Sequence, residues 1–106
     1  MLLDNLVTIP AGSSTSNGVF LGKIPTLVAI ELPTMTSNKI HLEVSTDGVA
    51  WESVYANDGT LYEIKPTAGW NYLPHDVSTS LPSFVRIFTN GTEAQQRIIR
   101  LFTRQL

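Results

Sequence analysis

The 106-residue sequence contains no cysteine. This absence excludes disulfide bonds, thiol catalysis and thiolate metal sites, and it favours folding in a reducing compartment. Charged residues are also scarce, at 15% of the chain, whereas 42% of the residues are hydrophobic. Such a composition does not belong to a charge-rich disordered chain. The scarcity of charge indicates a neutral surface, as in a protein that packs against partners.

Strong positive charge and long apolar segments are missing as well. The formal net charge is −2, which argues against a nucleic-acid partner, because nucleic-acid-binding domains carry a dense basic surface. No apolar run approaches the roughly 20 residues that a transmembrane helix needs. Residues 1–10 lack the basic start and the apolar run of a signal peptide. We therefore expect neither a nucleic acid nor a membrane as partner.

No window carries an apolar stripe at helical spacing, and apolar residues alternate with polar ones instead. The clearest example is residues 40–45, IHLEVS, whose period of two is typical of a half-buried strand. Asp47 and Gly48 then give the signal of a two-residue turn, since glycine tolerates a positive φ. Residues 49–56 are predicted to return as the second strand of a β-hairpin.

Other short apolar or alternating runs lie between turn signals that recur every ten residues or so, a spacing typical of antiparallel sandwiches and barrels. About eight strands in a single domain over residues 1–106 predict an all-β fold, an antiparallel jelly-roll β-sandwich. The further predicted strands are residues 6–9, 26–32, 60–65, 70–73, 83–89 and 98–103. Residues 19–25 are short and irregular, with a brief edge strand as an option.

The first 18 residues allow two interpretations. Residues 6–9 have the composition of a strand, but residues 11–18, AGSSTSNG, are small and polar like a flexible linker. Residues 1–18 would then form an N-terminal arm and flexible loop, with Leu6, Val7 and Ile9 contacting a partner. The alternative is a first strand in the chain's own sandwich.

Charge is unevenly distributed along the chain. Residues 1–85 carry eight acids against three lysines, and residues 86–106 carry four arginines against one glutamate. We expect Arg86 and Arg100 to stand on one face, beside acids from another strand or another subunit. Arginine is enriched at protein contacts. Arg86, Arg100 and Arg104 are therefore candidate interface residues, with pairing inside the sheet as the alternative.

No group of residues forms a recognisable catalytic set. His41 falls on the polar side of an alternating strand, and His75 precedes Asp76 in a loop without further metal ligands at a suitable spacing. Asp47 and Asp58 each precede a glycine, which is typical of turns rather than of calcium loops. We expect no catalytic residue, no metal and no cofactor.

Three aromatic residues are candidates for a different kind of site. Trp51, Trp70 and Tyr72 lie in or beside predicted strands. On the surface of a jelly roll such rings can stack against sugars. They can equally fill the core or a subunit contact.

Two resemblances to known families rest on these strands. Residues 45–51, STDGVAW, and residues 84–87, FVRI, resemble motifs of discoidin-type, galactose-binding-like jelly rolls. A second resemblance covers nearly the whole chain. It runs from Thr8 and Ile9 through the motifs LGKIPTLVAIELP, LEVSTDGVAWESVY, NDGT and SFVRIFTNGT to the last strand. This order is similar to that of small β-sandwich proteins encoded among the structural genes of tailed bacteriophages, many of which look like head decoration, or cement, proteins.

The second resemblance implies a non-enzymatic function. It implies a virion structural protein, made in the bacterial host cytoplasm, that binds the major capsid protein on the outer capsid surface. A homo-oligomer or another symmetric assembly on the virion is expected. The alternatives are a carbohydrate-binding module and a tail or baseplate component.

Overall fold

Strands and loops account for the whole of the computed structural model, which describes residues 2–22, 26–56, 58–74 and 81–104. No helix occurs in these residues. The strands are β1 (Leu2–Ile9), β2 (Val19–Phe20), β3 (Leu27–Leu32), β4 (Ile40–Ser45), β5 (Glu52–Ser53), β6 (Gly69–Tyr72), β7 (Phe84–Thr89) and β8 (Arg97–Arg104).

The strands form two antiparallel sheets of four. The first sheet has the order β1-β8-β3-β6 and the second has the order β2-β7-β4-β5. Strands from the two halves of the chain pair in reverse order, β1 with β8, β2 with β7, β3 with β6 and β4 with β5. One long antiparallel hairpin wrapped into two sheets gives this pattern, which is that of a jelly roll. The predicted all-β jelly-roll sandwich is confirmed.

The core lies between the two sheets and follows the alternation of side chains along each strand. In β7, Val85 and Ile87 are fully buried, whereas Phe84, Arg86 and Phe88 lie on the outer face of the second sheet. The buried apolar side chains pack into one cluster formed by Val7, Ile9, Leu27, Ile30, Leu32, Ile40, Leu42, Ile64, Leu73, Leu81, Val85, Ile87, Ile99 and Leu101.

The predicted hairpin exists, but its turn is wider than expected. β4 pairs with β5 through Glu43 opposite Ser53, so residues 46–51 form the connection rather than a two-residue turn. The Ser45 hydroxyl accepts a hydrogen bond from the Gly48 amide at 2.8 Å. The Asp47 carboxylate likewise accepts hydrogen bonds from amides further along the loop. These side chains satisfy the loop backbone locally, so the two strands need not close tightly.

The predicted strand over residues 60–65 is reduced to single bridges. Leu61 pairs with Tyr55, and Ile64 pairs with Ile40. The segment nevertheless lies against the second sheet, because Ile64 is buried in the core and exchanges backbone hydrogen bonds with Ile40 at 2.8 and 3.1 Å.

The N-terminal segment belongs to the chain's own sandwich. β1 pairs with β8 along its whole length, from Leu2 opposite Arg104 to Ile9 opposite Arg97. Val7 and Ile9 are fully buried in the core. The arm interpretation is therefore wrong for this strand, and Val7 and Ile9 are not available to a partner.

The loop that follows β1 is fixed rather than loose. The Gly12 amide donates to the Glu93 carbonyl at 2.7 Å, and the Ser16 amide donates to the Ile87 carbonyl at 2.8 Å. Because its residues are small, the backbone of this loop lies close to β7 and to the segment around Glu93. Their composition resembles that of a linker, but their hydrogen bonds are those of an ordered connection.

Candidate functional site

Of the four exposed aromatic side chains in the described part of the chain, two, Trp70 and Tyr72, lie together on the outer face of the first sheet. The strand register places side chains there in two rows that run across β1, β8, β3 and β6. We call these eight residues the outer-face patch. One row is Leu6, Arg100, Glu31 and Trp70, and the other is Asp4, Phe102, Ala29 and Tyr72.

The aromatic part of the patch lies at the β6 edge. Trp70 and Tyr72 are two residues apart in β6, so both side chains point to the same face. The Trp70 ring lies 4.5 Å from the Phe102 ring and 5.9 Å from the Tyr72 ring, measured between centroids. Tyr72 is 80% exposed and Trp70 is 41% exposed. Ala29 is fully buried although it belongs to this outer face, since it lies between Phe102 and Tyr72 in the register.

The charged part of the patch is loosely engaged. The Arg100 Nε atom lies 3.8 Å from the Glu31 Oε1 atom, and both side chains are about half exposed. An ion pair of this kind contributes roughly 0–1 kcal/mol to stability. Both groups therefore remain able to bind a partner at little cost to the fold.

The structure thus brings together four residues that the sequence placed in two different candidate sites. Leu6 and Arg100 were expected at an interface, and Trp70 and Tyr72 in a sugar-stacking platform. Arg104 lies further along β8, opposite Leu2 in β1, and is exposed. The sequence did not single out Asp4, Ala29, Glu31 or Phe102. Phe102 has the parity of Arg100 in β8, but only the register between strands shows what lies beside it.

Arg86 and Trp51 lie on the opposite side of the molecule, on the second sheet. The prediction that Arg86 and Arg100 share a face is therefore wrong, because β7 and β8 belong to different sheets. The Arg86 Nε atom donates to Glu43 Oε1 at 2.7 Å across the ladder, as the alternative of pairing inside the sheet requires. The guanidinium carbon also lies 4.5 Å from the centre of the Trp51 ring.

Trp51 also contacts Gly18 within the same chain. Its ring lies so close to Gly18 that a Cβ atom at that position would be 2.6 Å from two ring carbons. Gly18 and Arg86 together fix the indole, which is only partly exposed. Of the three candidate stacking residues, only Trp70 and Tyr72 therefore share an open surface.

Glu93 is a buried carboxylate that the sequence did not single out. Its carboxylate accepts hydrogen bonds from the Thr36 amide at 2.8 Å, the Ser37 amide at 2.9 Å and the Ser37 hydroxyl, and it pairs with Arg97 Nε at 2.9 Å. Burial by itself raises the pKa of the Glu93 carboxyl. The hydrogen bonds from Ser37, Thr36 and Arg97 outweigh burial and lower the pKa from 4.5 to about 2.

This arrangement is structural rather than catalytic. A general acid or base needs a proton that is exchanged near the working pH, whereas Glu93 stays ionised and its oxygen atoms are occupied. What it does is to join the loop between β3 and β4 to the segment that leads into β8. The Asn-Gly-Thr turn just before Glu93 gave no sign of this, because the contact spans more than 50 residues of sequence.

The remaining polar candidates have local roles. His41 is buried rather than solvated, with its Nδ1 atom 3.0 Å from the Tyr62 carbonyl and its ring stacked on Phe88. Hydrogen bonds from the amides of Val49 and Ala50 lower the pKa of the Asp47 carboxyl, which accords with a turn residue.

Asp58 has a similar turn role, because hydrogen bonds from the hydroxyl and amide of Thr60 lower its pKa. His75 and Asp76 lie outside the described residues. The described part of the chain contains no group of three His, Cys, Asp or Glu side chains that could hold a metal ion. Within the same residues, no helix is long and apolar enough to cross a bilayer.

Similarity to known proteins does not decide between the candidate functions of the outer-face patch. No protein-family model matches the chain, and no curated protein matches it significantly.

Proposed function

We propose that this protein is a non-enzymatic structural component of a tailed-phage particle. In this proposal it is a capsid decoration protein whose outer-face patch binds the major capsid protein. The observation that carries the proposal is the patch itself, an open sheet face with Leu6 53% exposed and Tyr72 80% exposed. Exposed apolar and aromatic side chains grouped on one sheet face, with polar groups beside them, are typical of protein contact sites.

The sandwich beneath the patch suits a clamp, that is, a protein that holds neighbouring capsid subunits together from outside. Every strand that carries a patch residue is hydrogen-bonded into the first sheet, and the other face of that sheet is packed in the core. A partner therefore meets a surface that does not have to be ordered on binding, which lowers the entropic cost. A protein that binds only the assembled shell stabilises it by mass action.

The polar groups on the patch would give the contact its orientation. The weak Arg100–Glu31 pair is able to exchange partners, with the guanidinium turning to an acid of the capsid protein and the carboxylate to a base. The support for a phage context is the order of motifs from residue 8 to the last strand. The absence of a clustered catalytic set among the described residues accords with a binding role.

Labelling and binding measurements together test this proposal. An antibody against the protein should label the head surface of purified particles of the phage that encodes it. Purified protein should also bind saturably to capsids assembled without it and raise their melting temperature. Trp70→Ala and Tyr72→Ala should each weaken capsid binding by about 30-fold or more, because truncating an aromatic hot spot costs about 2 kcal/mol or more.

Val49→Ala is the matched control, since Val49 is 81% exposed but belongs to the loop between β4 and β5. Its capsid affinity should equal that of the wild type. Label confined to the tail, or capsid affinity that is insensitive to Trp70 and Tyr72, would contradict the proposal.

A carbohydrate-binding module is the second candidate, and one observation favours it. Trp70 and Tyr72 stand side by side and exposed, with the Glu31 carboxylate next to Trp70 in the register. A sugar ring could stack on an aromatic face while a carboxylate accepts hydrogen bonds from its hydroxyl groups. A glycan array should then give hits that Tyr72→Ala removes. An array without hits, together with saturable capsid binding, would select the clamp.

A further inference from the structure

β1 forms an edge of the first sheet. Its outward backbone groups are taken by Asn17 at Thr8 and have no partner among the described residues at Asp4 and Leu6. The Thr8 amide donates to the Asn17 side chain at 2.8 Å, so the backbone of Thr8 points away from β8. In an antiparallel strand the residues whose backbone groups point outward alternate. The amide and carbonyl groups of Asp4 and Leu6 therefore also point outward. Among the described residues, neither of them has a backbone hydrogen-bond partner on this outward side.

The side chains of this edge are those of a strand that accepts a partner. Leu3 is 42% exposed and Leu6 is 53% exposed, and they lie on opposite faces of β1. A partner that packed on one face would cover only one of them, whereas an added strand covers both. β1 has neither the lysine nor the proline that commonly protects an edge strand. Asp4 is its single charged residue.

We propose that β1 pairs with β1 of a second copy of this chain in antiparallel orientation. The two first sheets then become one continuous sheet across a two-fold axis. The open backbone groups select the register. Pairing Asp4 with Asp4 would oppose like charges. Pairing Leu6 with Leu6 would set Asp4 opposite Thr8, whose backbone Asn17 occupies, and would leave a single hydrogen-bonded pair at the centre.

The remaining register places Asp4 opposite Leu6 of the second copy. Only its outermost pair, Leu2 opposite Thr8, is lost to the contact with Asn17. By symmetry Leu6 then lies opposite Asp4 of that copy, and each pair exchanges two backbone hydrogen bonds. Asn5 faces Asn5 of the second copy as a non-hydrogen-bonded pair, with Cα atoms about 4.5 Å apart. Both central pairs thus form from the open groups of the two copies without opposing like charges, and this is the reason to assign the edge to a second copy. The dimer is independent of the proposed function, because it is tested on the isolated protein.

Cysteine cross-linking tests the register, because the natural sequence contains no cysteine. Asn5→Cys should give a covalent dimer on mild oxidation, since the Cα separation suits a disulfide bond. Leu3→Cys is the matched control. Leu3 lies opposite Val7 of the second copy, so two Leu3→Cys positions are about 13 Å apart along the strands and should not cross-link.

Two charge substitutions test the same pairing without oxidation. Leu6→Lys places a lysine opposite Asp4 of the second copy, and Leu6→Asp places an aspartate there. Both remove the same apolar side chain, so the ratio of their dimer dissociation constants isolates the charge. Sedimentation should give a dimer for the wild type, and a dissociation constant about tenfold or more higher for Leu6→Asp than for Leu6→Lys.

Three results would overturn the proposal. They are a wild-type protein that stays monomeric at high concentration, equal cross-linking of Asn5→Cys and Leu3→Cys, and equal dissociation constants for the two Leu6 variants. If Asn5→Cys does not fold, the wild-type mass and the Leu6 pair still decide. An edge that stays monomeric alone but cross-links to a capsid protein would assign β1 to that partner instead.

Discussion

At the residue scale, Glu93 stabilises the fold through contacts that no motif in the sequence indicates. Its side chain is fully buried and paired with Arg97, whose side chain is 14% exposed. A buried charge is tolerated only when it is paired and hydrogen-bonded. The loop between β3 and β4 supplies the two amides and the hydroxyl that meet this condition. Glu93 thereby fixes one end of the sandwich.

Glu93→Gln should lower the free energy of unfolding by about 3–5 kcal/mol, because it leaves Arg97 buried without its partner. Urea denaturation at neutral pH measures this change. Glu63→Gln is the matched control, since Glu63 is 44% exposed and pairs with Lys39 at 3.6 Å. Its cost should stay below about 1 kcal/mol. Equal costs for the two variants would mean that the Glu93 pairing is not stabilising.

The same carboxylate predicts a pH dependence. Its pKa is about 2 in the folded protein and 4.5 as an ordinary glutamate, so its ionised form stabilises the fold. This contribution is fully present above about pH 4.5 and is lost as the pH falls to about 2. The stability difference between wild type and Glu93→Gln should therefore shrink by on the order of 3 kcal/mol across that interval. A difference that stays constant with pH would contradict the assignment.

At the scale of the strand, the alternation of apolar and polar residues predicted where the strands lie. It could not predict the conformation of the loops that connect them. The inward parity of Leu42 in β4 and of Val85 and Ile87 in β7 follows from their own sequence, and all three are buried. The wide loop at Asp47 depends instead on which amides its carboxylate reaches. The parity of an element is local information, whereas hydrogen bonds in a loop depend on the final path of the chain.

The candidate site illustrates the same division. The sequence indicated Trp51, Trp70 and Tyr72 as candidate stacking residues, but it did not indicate which of them share a surface. Trp51 and Trp70 both follow a small residue in or beside a predicted strand, yet one packs against Gly18 and the other is exposed on the first sheet. Strand order separates them, and strand order arises from pairings between distant segments. The structure was needed to divide the aromatic residues into packed and open ones.

The contact between Gly18 and Trp51 gives a prediction for the segment that leads into β2. Gly18→Ala should destabilise the protein by about 1–3 kcal/mol, because the added methyl group would lie 2.6 Å from the indole. Trp51 fluorescence should change with it, as the ring shifts against Arg86. Gly91→Ala is the control, since no atom lies within 4 Å of the added carbon. Equal stabilities would show that the indole moves freely.

At the scale of the whole molecule, the two outer faces differ in how much they are covered. The second sheet is overlaid by the segment around Tyr62, which covers His41, and its Arg86 is engaged by Glu43 and Trp51. The first sheet has no comparable cover among the described residues. Its outer-face patch and its β1 edge therefore offer surfaces for partners. The proposed clamp uses the face and the proposed dimer uses the edge. The two share Asp4 and Leu6, but the dimer leaves the aromatic part of the patch, at the opposite β6 edge, uncovered.

The stability of the whole fold also depends on β1. Deleting residues 1–9 would remove Val7 and Ile9 from the core and expose the backbone of β8 along its length. We expect the shortened protein to lose its cooperative thermal transition or to melt many degrees lower, and to aggregate through the new edge. Circular dichroism during heating and light scattering measure both effects.

Two single substitutions separate the causes of that loss. Val7→Ala removes a fully buried side chain, and Leu6→Ala removes an exposed one from the same strand. Both keep the β1–β8 ladder. Val7→Ala should destabilise the fold by about 1–3 kcal/mol, and Leu6→Ala by less than about 1 kcal/mol. The deletion should exceed both, because it removes the ladder as well. A shortened protein that melts like the wild type would show that β1 is an appendage, and the dimer proposed through its edge would then lose its structural basis.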